Sequence, residues 1–116
     1  MSKPRTPTEA ASLTHVTEAN FLNQVTEAAT YLGWRTYHTW QSKHSAVGFP
    51  DLVMVRPPRV IFAELKSAKG KLTPPQRDWV RDLYDCTGVA CYIWRPEDWD
   101  AIVAILVPTP HGTVIT

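Results

Sequence analysis

Apolar and polar positions along this chain follow two rhythms. From about Thr17 to Leu32, spaced at 100° per residue, Phe21, Leu22, Val25, Ala28, Ala29 and Leu32 fall on one stripe. That spacing predicts a helix, closed by Gly33. Trp34 to Trp40, rich in aromatics and Thr, predicts a strand. Two longer apolar runs follow, Leu52-Val-Met-Val and Val60-Ile-Phe-Ala-Glu-Leu65. Each is bounded by Gly or Pro, and Arg56-Pro-Pro-Arg59 turns between them, so they predict a hairpin of buried strands. Thr73-Pro-Pro-Gln76 opens a second helix: Thr73 caps it, Pro74 takes its first position and Gln76 completes a capping box. Trp79, Val80 and Leu83 mark its apolar side, and it ends near Gly88. Val89 to Trp94 is a continuous apolar strand. Arg95-Pro-Glu-Asp starts a last helix with Trp99, Ile102, Val103 and Leu106 inward.

The order is helix, three strands, helix, strand, helix. That is an α/β arrangement with a mixed sheet, since the strand after the second helix can return parallel. With 116 residues the chain is one domain. Residues 15–107 form it, residues 1–14 are a mobile arm and residues 108–116 a tail.

Polar groups interrupt the hairpin at three places only: Asp51, Glu64 and Lys66. Side chains alternate faces along a strand, so Glu64 and Lys66 share one face, roughly 6.5 Å apart. Val60 and Phe62 continue that face, and Ile61, Ala63 and Leu65 take the other. Asp51 begins the preceding strand, where pairing carries it close to Glu64. Two neighbouring carboxylates repel, and one stays protonated unless a cation lies between them. Oxygen ligands with positions left for water and phosphate suit Mg²⁺. An ammonium beside such a site can orient an attacking water or stabilise charge growing on a phosphate.

Pro50-Asp51 followed by Glu64-Leu65-Lys66 resembles the PD-(D/E)xK signature of the restriction-endonuclease-like phosphodiesterases. With Gly48-Phe-Pro-Asp-Leu before it and Gly70-Lys-Leu-Thr-Pro-Pro-Gln76 after it, the chain looks like the VRR-Nuc branch, the virus-type replication-repair nucleases. The likeness runs from about Thr17 to Leu106. Apart from the last helix, the order of elements is the αβββαβ core of that fold. The resemblance implies a Mg²⁺- or Mn²⁺-dependent endodeoxyribonuclease acting on branched or junction DNA. Asp51, Glu64 and the Leu65 carbonyl would hold the metal, and Lys66 would position the water. The family also has a helix glutamate where Glu18 stands, and its stand-alone members are dimeric.

Several residues carry two readings. Glu18 falls within the arc of the first helix's apolar stripe, whereas Glu27 points away. An inward carboxylate needs a partner, which the metal site would supply; a first-turn Glu is also favoured by the helix dipole. Gln76 serves the cap or hydrogen-bonds a nucleotide. The loop Gln41 to Val47 is a plain surface loop or contacts substrate through Gln41, Lys43 or His44. His38, at the strand end, is a general base or, the safer reading, a packed or hydrogen-bonded side chain.

Composition adds limits. Net charge is only +1, so attraction to DNA must come from local clusters, best from Lys66, Lys69 and Lys71. Cys86 and Cys91 lack CxxC spacing and read as two reduced thiols. No apolar run is long enough to cross a membrane, which predicts an intracellular protein, or a viral one in the host cytoplasm. One lobe with one metal centre cuts one strand, so paired cuts at a junction predict a homodimer. The five Trp either fill the core or, at Trp40 and Trp94, offer apolar surface to a second copy. The competing functions are a DNA-binding or assembly module that no longer cuts and a hydrolase of another phosphate ester. Intact Asp51, Glu64 and Lys66 argue against the first, and the lack of a nucleotide-base pocket motif against the second.

Overall fold

The computed structural model describes residues 16–40 and 44–108. The predicted arm over residues 1–14, with Lys3 and Arg5, lies outside them, as do Gln41, Lys43 and the tail beyond Pro108.

Helix α1 spans Glu18–Tyr31, and the Thr17 side chain accepts a hydrogen bond from the Asn20 amide at its start. At its end Trp34 N donates to Ala29 O and Gly33 N donates to Thr30 O, with Gly33 at φ +92°. This pair of bonds is the Schellman arrangement, which needs a left-handed residue where Gly33 stands. It also explains why the first strand is shorter than Trp34–Trp40: Trp34 is spent on ending the helix.

Strand β1 is Arg35–His38, β2 Leu52–Arg56 and β3 Arg59–Leu65. The three run antiparallel, with Arg56 opposite Arg59 across the tight turn. Helix α2, Pro74–Tyr84, then crosses over to strand β4, Ala90–Trp94, which pairs parallel with β3. The sheet order is β1-β2-β3-β4. The expected last helix begins as one 3₁₀ turn, Pro96–Asp98, and continues as α3, Trp99–Leu106.

One face of the sheet is dry. Leu52, Met54, Ile61 and Ala63 are fully buried there against Phe21, Val25 and Ala29 of α1 and Ile102 and Leu106 of α3. Two long contacts lock α3 in place. Trp34 Nε1 donates to Leu106 O at 2.8 Å, and Arg59 Nη1 donates to Ile105 O at 2.6 Å. The Arg59 guanidinium also lies 5.1 Å from the Trp34 ring centre.

Trp94 departs from the expectation of an uncovered strand end: it is 3 % exposed, with Tyr92 stacked beside it. It shares the dry face with Leu65, its register partner, and the helices there cover it. Trp40 does remain open, at 73 % exposure. Cys86 is exposed and Cys91 buried, both free thiols.

Candidate active site

The other face of the sheet carries Phe62 and Glu64, and α2 covers it thinly, with none of its residues fully buried. Phe49 makes the joint, its ring edge-on to both Phe62 (6.0 Å) and Trp79 of α2 (4.9 Å). Gly48 is what lets the loop come so near. It sits at φ +88°, and a Cβ there would lie 2.5 Å from the Pro75 carbonyl carbon. Both the sign of φ and the space demand glycine. The loop is thereby pinned to the first turn of α2, and Pro50, fully buried, delivers Asp51 to the start of β2.

Leu52 pairs with Ala63, so one further step of the register sets Asp51 opposite Glu64. The observed contact agrees: Asp51 Oδ2 accepts from Leu65 N at 2.8 Å. Glu64 is 1 % exposed. Its Oε2 lies 3.7 Å from Lys66 Nζ, and the same ammonium lies 3.9 Å from Glu18 Oε1. Lys66 therefore stands between the strand glutamate and the helix glutamate, itself 7 % exposed. Lys66 N donates to Trp94 O at 2.9 Å, fixing the backbone just beyond β3. Glu18 reaches Lys66 from the first turn of α1 with its side chain still 53 % exposed, so helix-dipole placement and the contact with this centre coexist; Glu27 is exposed as well.

Burial, followed by the neighbouring charge of Asp51, pushes the Glu64 carboxyl up to about 8; Lys66 opposes the shift. Near neutral pH, Glu64 accordingly keeps its proton beside Asp51. Its Oε1 is buried without a hydrogen-bond partner. A divalent cation would relieve both conditions, replacing the proton and occupying the idle oxygen. Among the described residues no three His, Cys, Asp or Glu side chains gather as a complete ligand set. Two carboxylates plus the Leu65 carbonyl suit a cation that keeps several waters, which is the habit of Mg²⁺.

The other predicted residues fall around this centre. The side-chain oxygen of Gln76 accepts from Thr73 N at 2.9 Å, while Gln76 N donates to Thr73 Oγ1 at 3.4 Å. The cap is formed, leaving the amide nitrogen of Gln76 to donate elsewhere. Lys69 and Lys71 are exposed on the turn after Lys66, and His44 is exposed in the loop ahead of Gly48. His38 is half-buried, its ring 4.7 Å from that of Trp40.

Sequence reasoning missed Arg95. Its Nη1 donates to Ser67 O at 2.8 Å and to Gly70 O at 2.6 Å, tying the basic turn to the end of β4. A charged residue ending an apolar strand, just before Pro96, was the available signal.

A mixed four-stranded sheet flanked by helices, with Asp, Glu and Lys at the end of its central hairpin, defines a restriction-endonuclease-like α/β nuclease fold. A profile of the VRR-NUC domain matches residues 9–95, and the chain belongs to this family of nuclease domains. The match takes in every residue from Glu18 to Arg95 named above and stops before α3. A solved structure described as a VRR_NUC domain superimposes with a TM-score of 0.62 at 20 % identity, covering 77 % of this chain and 97 % of that one. At that identity it supports the fold alone. No curated protein matches the chain.

Proposed function

We propose that this protein is a Mg²⁺- or Mn²⁺-dependent endonuclease that hydrolyses DNA phosphodiester bonds and prefers branched or junction DNA. The observation that carries the reading is a half-buried Asp51 beside the buried Glu64, with Lys66 Nζ 3.7 Å from Glu64. Asp51, Glu64 and the Leu65 carbonyl would hold the ion. When bound, it would supply Lewis acidity toward the scissile phosphate and lower the pKa of water. The chain's own groups supply the rest. Lys66 holds its ammonium at a fixed place beside the carboxylates, where it can orient a water or meet charge on the phosphate. Glu18 restrains that ammonium from the far side. Lys69 and Lys71 offer exposed charge to the DNA backbone; His44, and Lys43 outside the described residues, would add contacts from the loop ahead of Gly48, and the Gln76 amide would donate to a nucleotide. Such contacts read backbone position and shape rather than base sequence.

We further infer a homodimer, so that two centres cut in fixed relation. β1 is an edge strand; Tyr37, 63 % exposed, lies on it and Trp40, 73 % exposed, just after it, while Val47 before Gly48 is 75 % exposed. Among the described residues no helix is long and apolar enough to cross a membrane, and we propose an intracellular protein, or a viral one in the host cytoplasm.

The test is cleavage of supercoiled plasmid, linear duplex and a four-way junction in Mg²⁺, Mn²⁺ or EDTA. The reading requires divalent-dependent cutting that is fastest on the junction. Tight binding with no cutting in any metal would instead mark a silent DNA-binding module. Sedimentation equilibrium with and without the junction decides the dimer, and a monomer in both overturns it.

A further inference from the structure

Among the described residues, two half- or fully buried side chains carry a polar atom sealed from solvent with no hydrogen-bond partner: the Glu64 Oε1 discussed above and Thr39 Oγ1. Buried polar atoms are seldom left unpaired, and such an exception calls for a water, an ion or a function. The two exceptions here are not scattered. His38 pairs with Leu52, and Thr39 N donates to Asp51 O at 2.8 Å, so Thr39 extends the register by one step. Directly opposed residues on paired strands project from the same face. Thr39, Asp51 and Glu64 thus form a row across three neighbouring strand positions, each about 4.8 Å from the next. Asp51 stands in the middle, and the two idle oxygens flank it.

We propose that Thr39 is a positioning residue of the Asp51–Glu64 centre, its hydroxyl donating to a ligand oxygen or ordered water held against Asp51. This rests on the metal-binding reading given above. A hydroxyl without a protein partner can donate in one direction and accept in another. It can therefore orient a polar ligand beside Asp51 without adding charge to a site that already holds two carboxylates. The loop from residue 40 to Gly48 follows immediately, so the strand end that carries Thr39 also sets where that loop departs.

The test compares Thr39→Val, which keeps the shape and removes the hydroxyl, with Thr39→Ser, which keeps the hydroxyl. Mn²⁺ affinity is measured by calorimetry on the full chain, and kcat and KM on plasmid DNA at saturating Mn²⁺. Loss of an outer hydrogen bond to a metal site costs about tenfold or more in affinity or activity. Thr39→Val should weaken Mn²⁺ binding or lower kcat by about that factor, leave KM for DNA unchanged and melt no lower than wild type in EDTA. Thr39→Ser should retain wild-type values. Wild-type Mn²⁺ affinity and kcat in Thr39→Val would overturn the assignment, as would equal losses in both variants, which would show a packing role. If the wild-type chain binds Mn²⁺ but does not cut, the nuclease reading fails while the affinity comparison still decides Thr39.

Discussion

The two faces of the sheet are built on opposite terms. On the face under α1 and α3, Phe21, Val25, Leu52, Met54, Ile61, Ile102 and Leu106 are all without solvent exposure. On the face under α2, the helix buries no residue fully, and a glutamate is nearly as inaccessible as those apolar side chains. Burying an acid that keeps its proton to about pH 8 cannot be favourable in itself. The dry face supplies the stability that lets the other face hold a strained carboxylate pair. Stability and chemistry are thus separated by the alternation of side chains along β2 and β3, with Ala63 and Leu65 on one side and Glu64 on the other.

That division can be broken from either side. The largest effect is expected on the dry face. Phe21→Ala removes a fully buried ring and should cost about 3–5 kcal/mol of stability in urea unfolding, while molecules still folded keep wild-type kcat. A mutant of normal stability would mean that α1 is not part of the core.

Lys66→Ala addresses the site face. Loss of one preorganised charge should lower kcat by about a hundredfold, near 2.7 kcal/mol in the barrier, with far weaker effects on DNA binding in Ca²⁺. Equal losses in binding and turnover would reduce Lys66 to a phosphate anchor.

A smaller effect sharpens the electrostatic half of the comparison. Glu64 holds its proton up to about pH 8 when folded, against a usual value of 4.5. Between those limits the folded state binds more protons than the unfolded one. Stability in EDTA should therefore fall as pH rises through the window, by at most about 1.4 kcal/mol per pH unit from this group. Glu64→Gln should flatten that slope, and saturating Mn²⁺ should cancel it in the wild type. Identical slopes in wild type and mutant would show that Glu64 ionises normally.

The fold was largely legible in the sequence because each element buries a periodic stripe or an unbroken apolar run. Asp51, Glu64 and Lys66 were legible for the converse reason, as polar residues inside segments that otherwise tolerate none. Helix phase alone separated Glu18 from Glu27, and the contact of Glu18 with Lys66 follows that phase. What escaped depends on register and on distant pairing. Nothing in the loop between Trp40 and Asp51 fixes how β1 aligns with β2, so Thr39 beside Asp51 could not be read. The same holds for Arg95 reaching back to Ser67 and Gly70. Trp94 looked uncovered at a strand end because α3, which helps to close that face, follows it in the chain.

The central claim is that Asp51 and Glu64 together hold a divalent cation whose presence permits cleavage. Asp51→Asn tests it most directly, with calorimetric Mn²⁺ titration and plasmid cleavage measured on the same preparation. The account predicts a folded protein that melts close to wild type in EDTA, since the Asn side-chain oxygen can still accept from Leu65 N, yet shows no measurable Mn²⁺ binding at this centre and no cutting. Wild-type Mn²⁺ affinity together with a wild-type cleavage rate in that mutant would contradict it.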